Sequence, residues 1–172
     1  MSNLQLRPLS LGDADMLYPF LQSLPKEENG FQNGAAGLTR KEFEDWLVRQ
    51  EANAAKTEIE DGYRVPQGIW FLYVDGQPAG MAKLRYFLTD RLRTAGGHLG
   101  YAIAPAFRGH GYAAVMVNEI KHIAAQKGID EMLVTIHNDN PASIRTAMKC
   151  GGRIEKICEG RHYIWIPCNQ KD

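Results

Sequence analysis

The first third of the chain alternates between short apolar patterns and polar breaks. Residues 4–7 alternate apolar and polar side chains, which is typical of a short strand. Residues 16–24 carry apolar side chains at helical spacing until a proline ends them, and residues 26–38 are polar and glycine-rich, which predicts a loop. Thr39 and Glu42 form a capping-box pair that predicts the start of a second helix.

The middle of the chain is predicted to form three strands and a long helix. Residues 69–74 and 78–88 are rich in β-branched and aromatic side chains, and the Asp75-Gly76 pair between them is a strong hairpin signal. Residues 98–104 predict a further strand, and residues 112–127 carry an apolar stripe at helical spacing.

The last third predicts a buried strand, a short helix and a closing hairpin. The buried strand spans 131–137, Asn140-Pro141 is typical of a helix start, and 153–158 pairs with 162–166. The strand, helix, strand order across 98–137 predicts a parallel pairing with a right-handed crossover.

These elements predict an α/β or α+β fold with one mixed sheet. We expect about seven mostly antiparallel strands, a parallel pair at the centre and helices on both faces. The chain is 172 residues long. A chain of this size buries about two thirds of its unfolded surface, so a single domain over 1–172 is expected.

The composition argues against several classes of partner and of site. Lys and Arg number 20, as do Asp and Glu, so no overall field attracts nucleic acid or a membrane. Three cysteines without CxxC or metal-ligand spacing predict neither a disulfide framework nor a metal site. The N-terminus lacks a signal-peptide pattern and no apolar run is long enough to span a bilayer, so we expect a soluble cytoplasmic protein.

A glycine-rich turn joins the strand at 98–104 to the long helix. Residues 108–113, Arg-Gly-His-Gly-Tyr-Ala, offer consecutive backbone N–H groups at the positive end of a helix dipole, and Arg108 adds charge. The turn is not a Walker A loop, because no Gly-Lys-Ser/Thr follows, and it lacks the dinucleotide G-x-G-x-x-G pattern. A general nucleotide-binding module and an ordinary strand-to-helix turn remain alternatives.

Two blocks of residues resemble the GNAT acetyltransferase superfamily. Arg108, Gly111 and Ala113 match its Q/R-x-x-G-x-G/A signature, and residues 140–151 match its N-x-x-S-x-R-x-x-x-K-x-G segment. The resemblance covers 69–166 well, which implies a cofactor-binding core there and an acceptor side in 1–68. Gly96-Gly97-His98-Leu99-Gly100-Tyr101 and Gly151-Gly152 are most similar to a branch of predicted bacterial acetyltransferases.

The resemblance implies that acetyl-coenzyme A lies where two central strands separate. Its pyrophosphate would bind the N–H groups of 108–113, and its pantetheine would pair with the strand backbone. Asn140 and Ser143 would approach the cofactor; the alternative is that they only cap the start of a helix. The residues that the resemblance assigns to the cofactor are Tyr101, Ile103, Arg108, Gly109, His110, Gly111, Tyr112, Ala113, Asn140 and Ser143.

Acetyl transfer to an amine requires a base and an acid, and neither is obvious in this sequence. The family's usual tyrosine acid would fall at Ala147, so the chain departs from the pattern there. The catalytic candidates are His98, Tyr101 and His137. A structural histidine and a core tyrosine are the alternatives to catalytic roles for His98 and Tyr101.

The predicted function is acetyl-coenzyme A-dependent N-acetyl transfer, by direct attack, to a primary amine of a small molecule or peptide. The acceptor is expected to contact residues 27–38 and 90–97, and the arginines of 90–97 are compatible with an anionic acceptor or with a solvated loop. A coenzyme A-binding sensor without efficient catalysis is the alternative function. A homodimer is compatible with the sequence.

Overall fold

A computed structural model of the chain describes residues 1–59 and 65–169. The predicted domain boundaries, 1–172, include 60–64 and 170–172, which lie outside the described residues. The strands are β1 (Leu4–Pro8), β2 (Glu27–Glu28), β3 (Phe31–Gln32), β4 (Gln67–Val74), β5 (Gln77–Arg85), β6 (Leu99–Ile103), β7 (Glu131–His137), β8 (Arg153–Cys158) and β9 (Arg161–Pro167). The helices are α1 (Ala14–Ser23), α2 (Arg40–Ala54), α3 (Asp90–Thr94), α4 (Tyr112–Gln126) and α5 (Pro141–Lys149), with 3-10 turns at Leu11–Asp13 and Pro105–Phe107.

The predicted α/β class is confirmed, but seven of these strands form two antiparallel sheets instead of the one mixed sheet that was predicted. One sheet has the order β1-β4-β5-β6, and the other has the order β7-β9-β8. The hairpin predicted at Asp75-Gly76 connects β4 to β5, and both residues adopt positive φ.

The predicted parallel ladder between β6 and β7 is absent from the described residues. The two strands belong to different sheets, and the N–H of His98, just before β6, donates to the carbonyl oxygen of Leu133 at 2.8 Å. The close approach requires glycine at position 97, where φ is +59° and an added Cβ would collide with the Leu133 carbonyl. Beyond this contact the strands separate, and the cleft described below opens between them.

Helices cover both faces of the four-stranded sheet, as predicted. On one face, Phe71 and Met81 pack with Leu17 of α1 and with Phe43 of α2. On the other face, residues of β4 and β5 pack with α4, α5 and the second sheet in a cluster that includes Leu72, Leu84, Met116, Ile120 and Ile164. Burying each such side chain stabilises the fold by about 1.5–3 kcal/mol.

The segment 26–38, predicted to be a loop, contains a small hairpin. Strands β2 and β3 pair antiparallel around Asn29 and Gly30, whose φ angles of 52° and 83° fit a tight turn. Asn33 is buried and fixes the end of this β2–β3 hairpin, because its side-chain amide donates to the carbonyl of Leu21 at 2.8 Å. Pattern reasoning missed the hairpin because two-residue strands have no periodicity.

The connection 89–97 contains α3, a helix that the sequence pattern did not predict. Thr89 caps its start by accepting from the N–H of Leu92. The Tyr163 hydroxyl donates to the carbonyl of Thr94 at 2.7 Å. Helix α3 therefore rests on the β7–β9 sheet.

Candidate active site

A cleft of about 1090 Å³ lies where the two sheets separate. Its walls are the free edge of β6, the C-terminal end of β7, and the first turns of α4 and α5, and the β2–β3 hairpin covers one side. Among the described strands, β6 pairs with β5 alone, so N–H and C=O groups of its other edge face the cleft. This volume lies just above the range of about 300–1,000 Å³ that is usual for small-molecule pockets, so the cleft suits a large ligand.

The glycine-rich turn forms one end of the cleft. Gly109 and Gly111 have φ angles of 82° and 79°, and Gly111 begins α4 without a side-chain cap. Among the described residues, no acceptor takes a hydrogen bond from the N–H groups of Gly109 to Ala114. A row of unpaired donors at a helix N-terminus favours an anion such as a phosphate group.

The side chains of this turn contribute less than its backbone. His110 does not line the cleft, and its ring stacks on Tyr112 with a centroid distance of 5.4 Å. The Arg108 Nε donates to the carbonyl of Ile103 at 2.8 Å, and its Nη2 lies 2.6 Å from Glu28 Oε1 of the β2–β3 hairpin. Part of the charge expected from Arg108 is therefore compensated by a carboxylate across the cleft.

Asn140 and Ser143 form the predicted cap of α5 and also line the cleft. Asn140 Oδ1 accepts from the N–H of Ser143 at 3.4 Å, and its Nδ2 donates to Ser143 Oγ at 3.1 Å. Both groups thus have partners within the helix start. Their contact with a cofactor stays a prediction.

Tyr101 and Ile103 lie on β6 and line the cleft, as predicted. The Tyr101 hydroxyl donates to the carbonyl of Ser143 on α5 at 3.4 Å, and burial raises its pKa above the usual value. Ala147, one turn further along α5, is 1% exposed. A hydroxyl from the opposite wall therefore reaches α5 beside the position where the resemblance would place a tyrosine.

His98 lies outside the cleft lining, which argues against its predicted role as the base. Its side chain is 7% exposed, and its Nδ1 accepts the N–H of Leu133 at 2.9 Å. Burial, with the nearby Arg93 and Arg85, lowers its pKa to about 4. The neutral imidazole thus joins the two sheets and is engaged with backbone.

His137 ends β7 and lines the cleft beneath the β2–β3 hairpin. A Cβ added to Gly30 would lie 3.0 Å from His137 Nε2, so the hairpin turn passes directly over the ring. Tyr163 is buried, its hydroxyl donates to the carbonyl of Thr94, and it is not among the described residues that line the cleft. Of the three predicted catalytic residues, the structure brings Tyr101 and His137 to the cleft.

Two basic residues on β5 line the cleft and were not predicted as site residues. Lys83 Nζ donates to the carbonyl of Gln32 on β3, and burial together with nearby Arg85 lowers the pKa of Lys83 to about 8. Burial also lowers the pKa of Arg85. The sequence did hold a signal, because charged residues alternate here with Ala82 and Leu84 in an otherwise apolar strand.

Within the part of the chain that the structure describes, the cysteine thiols, possible metal sites and possible membrane-spanning helices add nothing to the cleft. Cys150 and Cys168 are buried, and burial raises the pKa of both thiols. In the described ranges, no group of three His, Cys, Asp or Glu side chains could hold a metal ion. None of the helices there is long and apolar enough to cross a bilayer.

Comparison with solved structures shows the same fold in several acetyltransferases. RimL, a ribosomal L7/L12 α-N-protein acetyltransferase in complex with coenzyme A, matches with a TM-score of 0.68 and 14% identity over 96% of both chains. YncA from Salmonella typhimurium, a putative acetyltransferase with its cofactor acetyl-CoA, matches with a TM-score of 0.62 and 13% identity over 97% of this chain and 95% of its own. A spermidine N-acetyltransferase SpeG chimera from Vibrio cholerae and hSSAT matches with a TM-score of 0.63 and 15% identity over 96% of this chain and 95% of its own.

The family of the chain follows from its sequence. No curated protein matches it in sequence. The family model described as an acetyltransferase (GNAT) domain matches residues 3–153, which is most of the chain. The glycine turn, the cleft between separated strands and this match agree, and the chain therefore belongs to the GNAT family of acetyltransferases.

Proposed function

We propose that the chain is an acetyl-coenzyme A-dependent N-acetyltransferase that acetylates a primary amine by direct attack. The observation that carries the proposal is the row of unpaired N–H groups at 109–114, facing a cleft between two strands that share no ladder. Solved relatives of the same fold hold coenzyme A or acetyl-CoA, which supports the choice of cofactor.

The proposed cofactor position follows the two sets of free backbone groups. The pyrophosphate binds the N–H groups of Gly109, Gly111, Tyr112 and Ala113, with His110 contributing its backbone alone. The pantetheine amides pair with the open edge of β6 at Tyr101 and Ile103. Asn140 and Ser143 complete the wall from α5.

The reaction forms a bond from the acceptor nitrogen to the thioester carbonyl carbon and breaks the bond from that carbon to sulfur. The amine loses one proton, and the departing thiolate gains one. An N–H from the open edge of β6 stabilises the negative oxygen of the tetrahedral intermediate. The chain therefore has to supply a proton acceptor on one side of the thioester and a donor on the other.

Tyr101 is our proposed acid. A phenol is protonated at neutral pH and burial raises the pKa of this one further, and its hydroxyl lies between β6 and α5, on the cofactor side of the cleft. His137 is our proposed base, because its ring lies in the cleft under the β2–β3 hairpin, on the side of residues 1–68. We do not propose His98, whose Nδ1 is already occupied by Leu133.

The alternative function is a coenzyme A-binding sensor that lacks efficient catalysis. The observation that favours it is Ala147, which stands where the family resemblance implies a tyrosine. A cytoplasmic location and a homodimeric state stay predictions, which cell fractionation and light scattering would test.

Thiol release from acetyl-coenzyme A separates these functions. The protein is incubated with acetyl-coenzyme A and a panel of amines, amino acids and peptides, and free thiol is followed over time. We expect release that depends on the acceptor. Tight cofactor binding without acceptor-dependent release from any member would favour the sensor, and equal competition by ATP would point to a nucleotide-binding module.

A further inference from the structure

The cleft has two halves that are formed by different elements of the fold. The cofactor half comprises the turn 109–114 and the start of α5. The acceptor half lies beneath the β2–β3 hairpin, on the face of the four-stranded sheet that carries α1 and α2. Alternation along β5 places Lys83 and Arg85 on this face, because Met81 packs there and Ala82 and Leu84 face α4.

The β2–β3 hairpin holds Lys83 in place without neutralising it. Lys83 Nζ donates to the carbonyl of Gln32 and lies 4.9 Å from the centre of the Phe31 ring. Arg85 Nη1 donates to the carbonyls of Gly96 and Gly97 at 3.2 and 3.3 Å. All these partners are uncharged, so none of them compensates the positive charge of either side chain as it loses solvent.

No carboxylate compensates this pair in the described part of the chain. Neither Lys83 nor Arg85 forms an ion pair there. Of the described residues that line the cleft, Glu28 is the sole acidic one, and it is paired with Arg108 at 2.6 Å. Arg161, opposite His137 in the β7–β9 register, adds a further cation to the lining.

Two like charges that are partly desolvated on one strand face destabilise each other unless an anion joins them. The lowered pKa of Lys83 expresses this cost, because burial and Arg85 both disfavour its ammonium form. A ligand oxyanion would remove the cost, since arginine and lysine are the usual partners of carboxylate and phosphate groups.

We propose that the acceptor amine carries an oxyanion, a carboxylate or a phosphate, which binds Lys83 and Arg85 under the β2–β3 hairpin. The inference rests on the proposed function and specifies its substrate class. The same cations also favour the neutral form of an incoming amine, which is the nucleophilic form. A polycationic acceptor such as spermidine is disfavoured for both reasons, although the fold is shared with a spermidine N-acetyltransferase.

Matched acceptors that differ in one anionic group test the proposal. Alanine is compared with alaninamide and phosphoethanolamine with ethanolamine, and spermidine serves as the polycation. Thiol release gives kcat/KM for each. We expect the anionic member of at least one pair to be preferred by about tenfold or more, the effect of one contact between charged groups. The pair with the larger preference shows whether the oxyanion is a carboxylate or a phosphate.

Charge reversal sharpens the test. Lys83→Glu should invert the preference, so that the uncharged or cationic acceptor has the higher kcat/KM. Lys83→Gln is a milder substitution for use if Lys83→Glu does not fold. It should make the kcat/KM values of the two acceptors of a pair nearly equal. Lys41→Glu is the control. Lys41 is an exposed residue of α2 that pairs with Asp45 at 3.2 Å, and the substitution makes the same charge change at a residue that does not line the cleft. The control should keep the wild-type preference.

Calorimetry on the protein saturated with coenzyme A provides a readout that does not depend on turnover. Alanine or phosphoethanolamine should bind more tightly than its uncharged counterpart. Equal or better use of uncharged or polycationic acceptors overturns the inference and leaves the proposed function intact. Absence of both release and binding heat with the anionic probes, in protein that binds coenzyme A, also overturns it. Failure to bind coenzyme A overturns the proposed function instead.

Discussion

In our proposal, the two halves of the cleft recognise their ligands by different means. The cofactor half presents backbone N–H groups from one continuous turn, 109–114, whereas the acceptor half presents side chains from separate elements such as Lys83 of β5 and Arg161 of β9. Backbone recognition tolerates many side chains and depends on a local glycine conformation. Side-chain recognition depends on which strands become neighbours, so the acceptor half can change while the cofactor half is kept.

The largest expected effect falls on the cofactor half. Gly111→Glu places a carboxylate against the proposed pyrophosphate position, and we expect the affinity for coenzyme A to fall by more than about 10³-fold, because like charges in contact cost several kcal/mol. Isothermal titration calorimetry measures the affinity, and circular dichroism checks the fold.

Gly128→Glu is a matched control for this substitution. Gly128 follows the other end of α4, has a φ of 81° and, like Gly111, has open space around the position of a Cβ. Both variants thus carry the same backbone strain, of about 1–2 kcal/mol. Equal affinities for coenzyme A in the two variants would contradict the assignment of the turn to the cofactor.

The next largest effect tests whether a residue of the cofactor half donates the proton to the departing thiolate. Tyr101→Phe removes the proposed acid and should lower kcat by about a hundredfold with little change in the KM for acetyl-coenzyme A, as expected for loss of general acid catalysis. Steady-state thiol release measures both constants. An unchanged kcat would assign thiolate protonation to solvent.

A smaller effect concerns the joint between the two sheets. The pKa of His98 is about 4 in the fold, below its usual 6.5, so the folded state binds fewer protons than the unfolded state between these values. Stability should therefore fall as the pH drops from about 6.5 to 4, by up to about 3 kcal/mol.

His98→Asn removes this titration and should flatten the dependence of stability on pH, as measured by urea unfolding at several pH values. The dependence of kcat on pH should keep its wild-type shape. A change in that profile, with stability unaffected, would return His98 to the list of catalytic candidates.

The smallest effect concerns the contact that links the two halves. Glu28→Gln breaks the ion pair with Arg108. The side chain of Arg108 is 47% exposed and that of Glu28 is 37% exposed. A pair this exposed contributes about 0–1 kcal/mol, so thermal stability should scarcely change. Affinity for coenzyme A should rise severalfold by calorimetry, because the guanidinium becomes available to the phosphates; an unchanged or weaker affinity would show that Arg108 serves the hairpin instead.

Pattern reasoning predicted the elements with long periodic segments and missed those that depend on remote partners. Strands β5 and β7 and helices α4 and α5 follow from alternation, apolar stripes and capping residues. The β2–β3 hairpin is held by Asn33, which bonds to α1, and α3 is held by Tyr163 of β9. Those contacts join residues far apart in sequence, so no local window contains them.

The candidate site divides in the same way. By itself, the sequence determined the glycine-rich turn and the family, because Gly109 and Gly111 adopt their conformation locally and need only the helix that follows. The tertiary structure alone decided that His98 is buried against Leu133 and that Lys83, on the same strand face as Arg85, lies beneath the hairpin. The physical reason is that burial and charge compensation depend on which remote segments pack together, and neither is encoded at a single position of the chain.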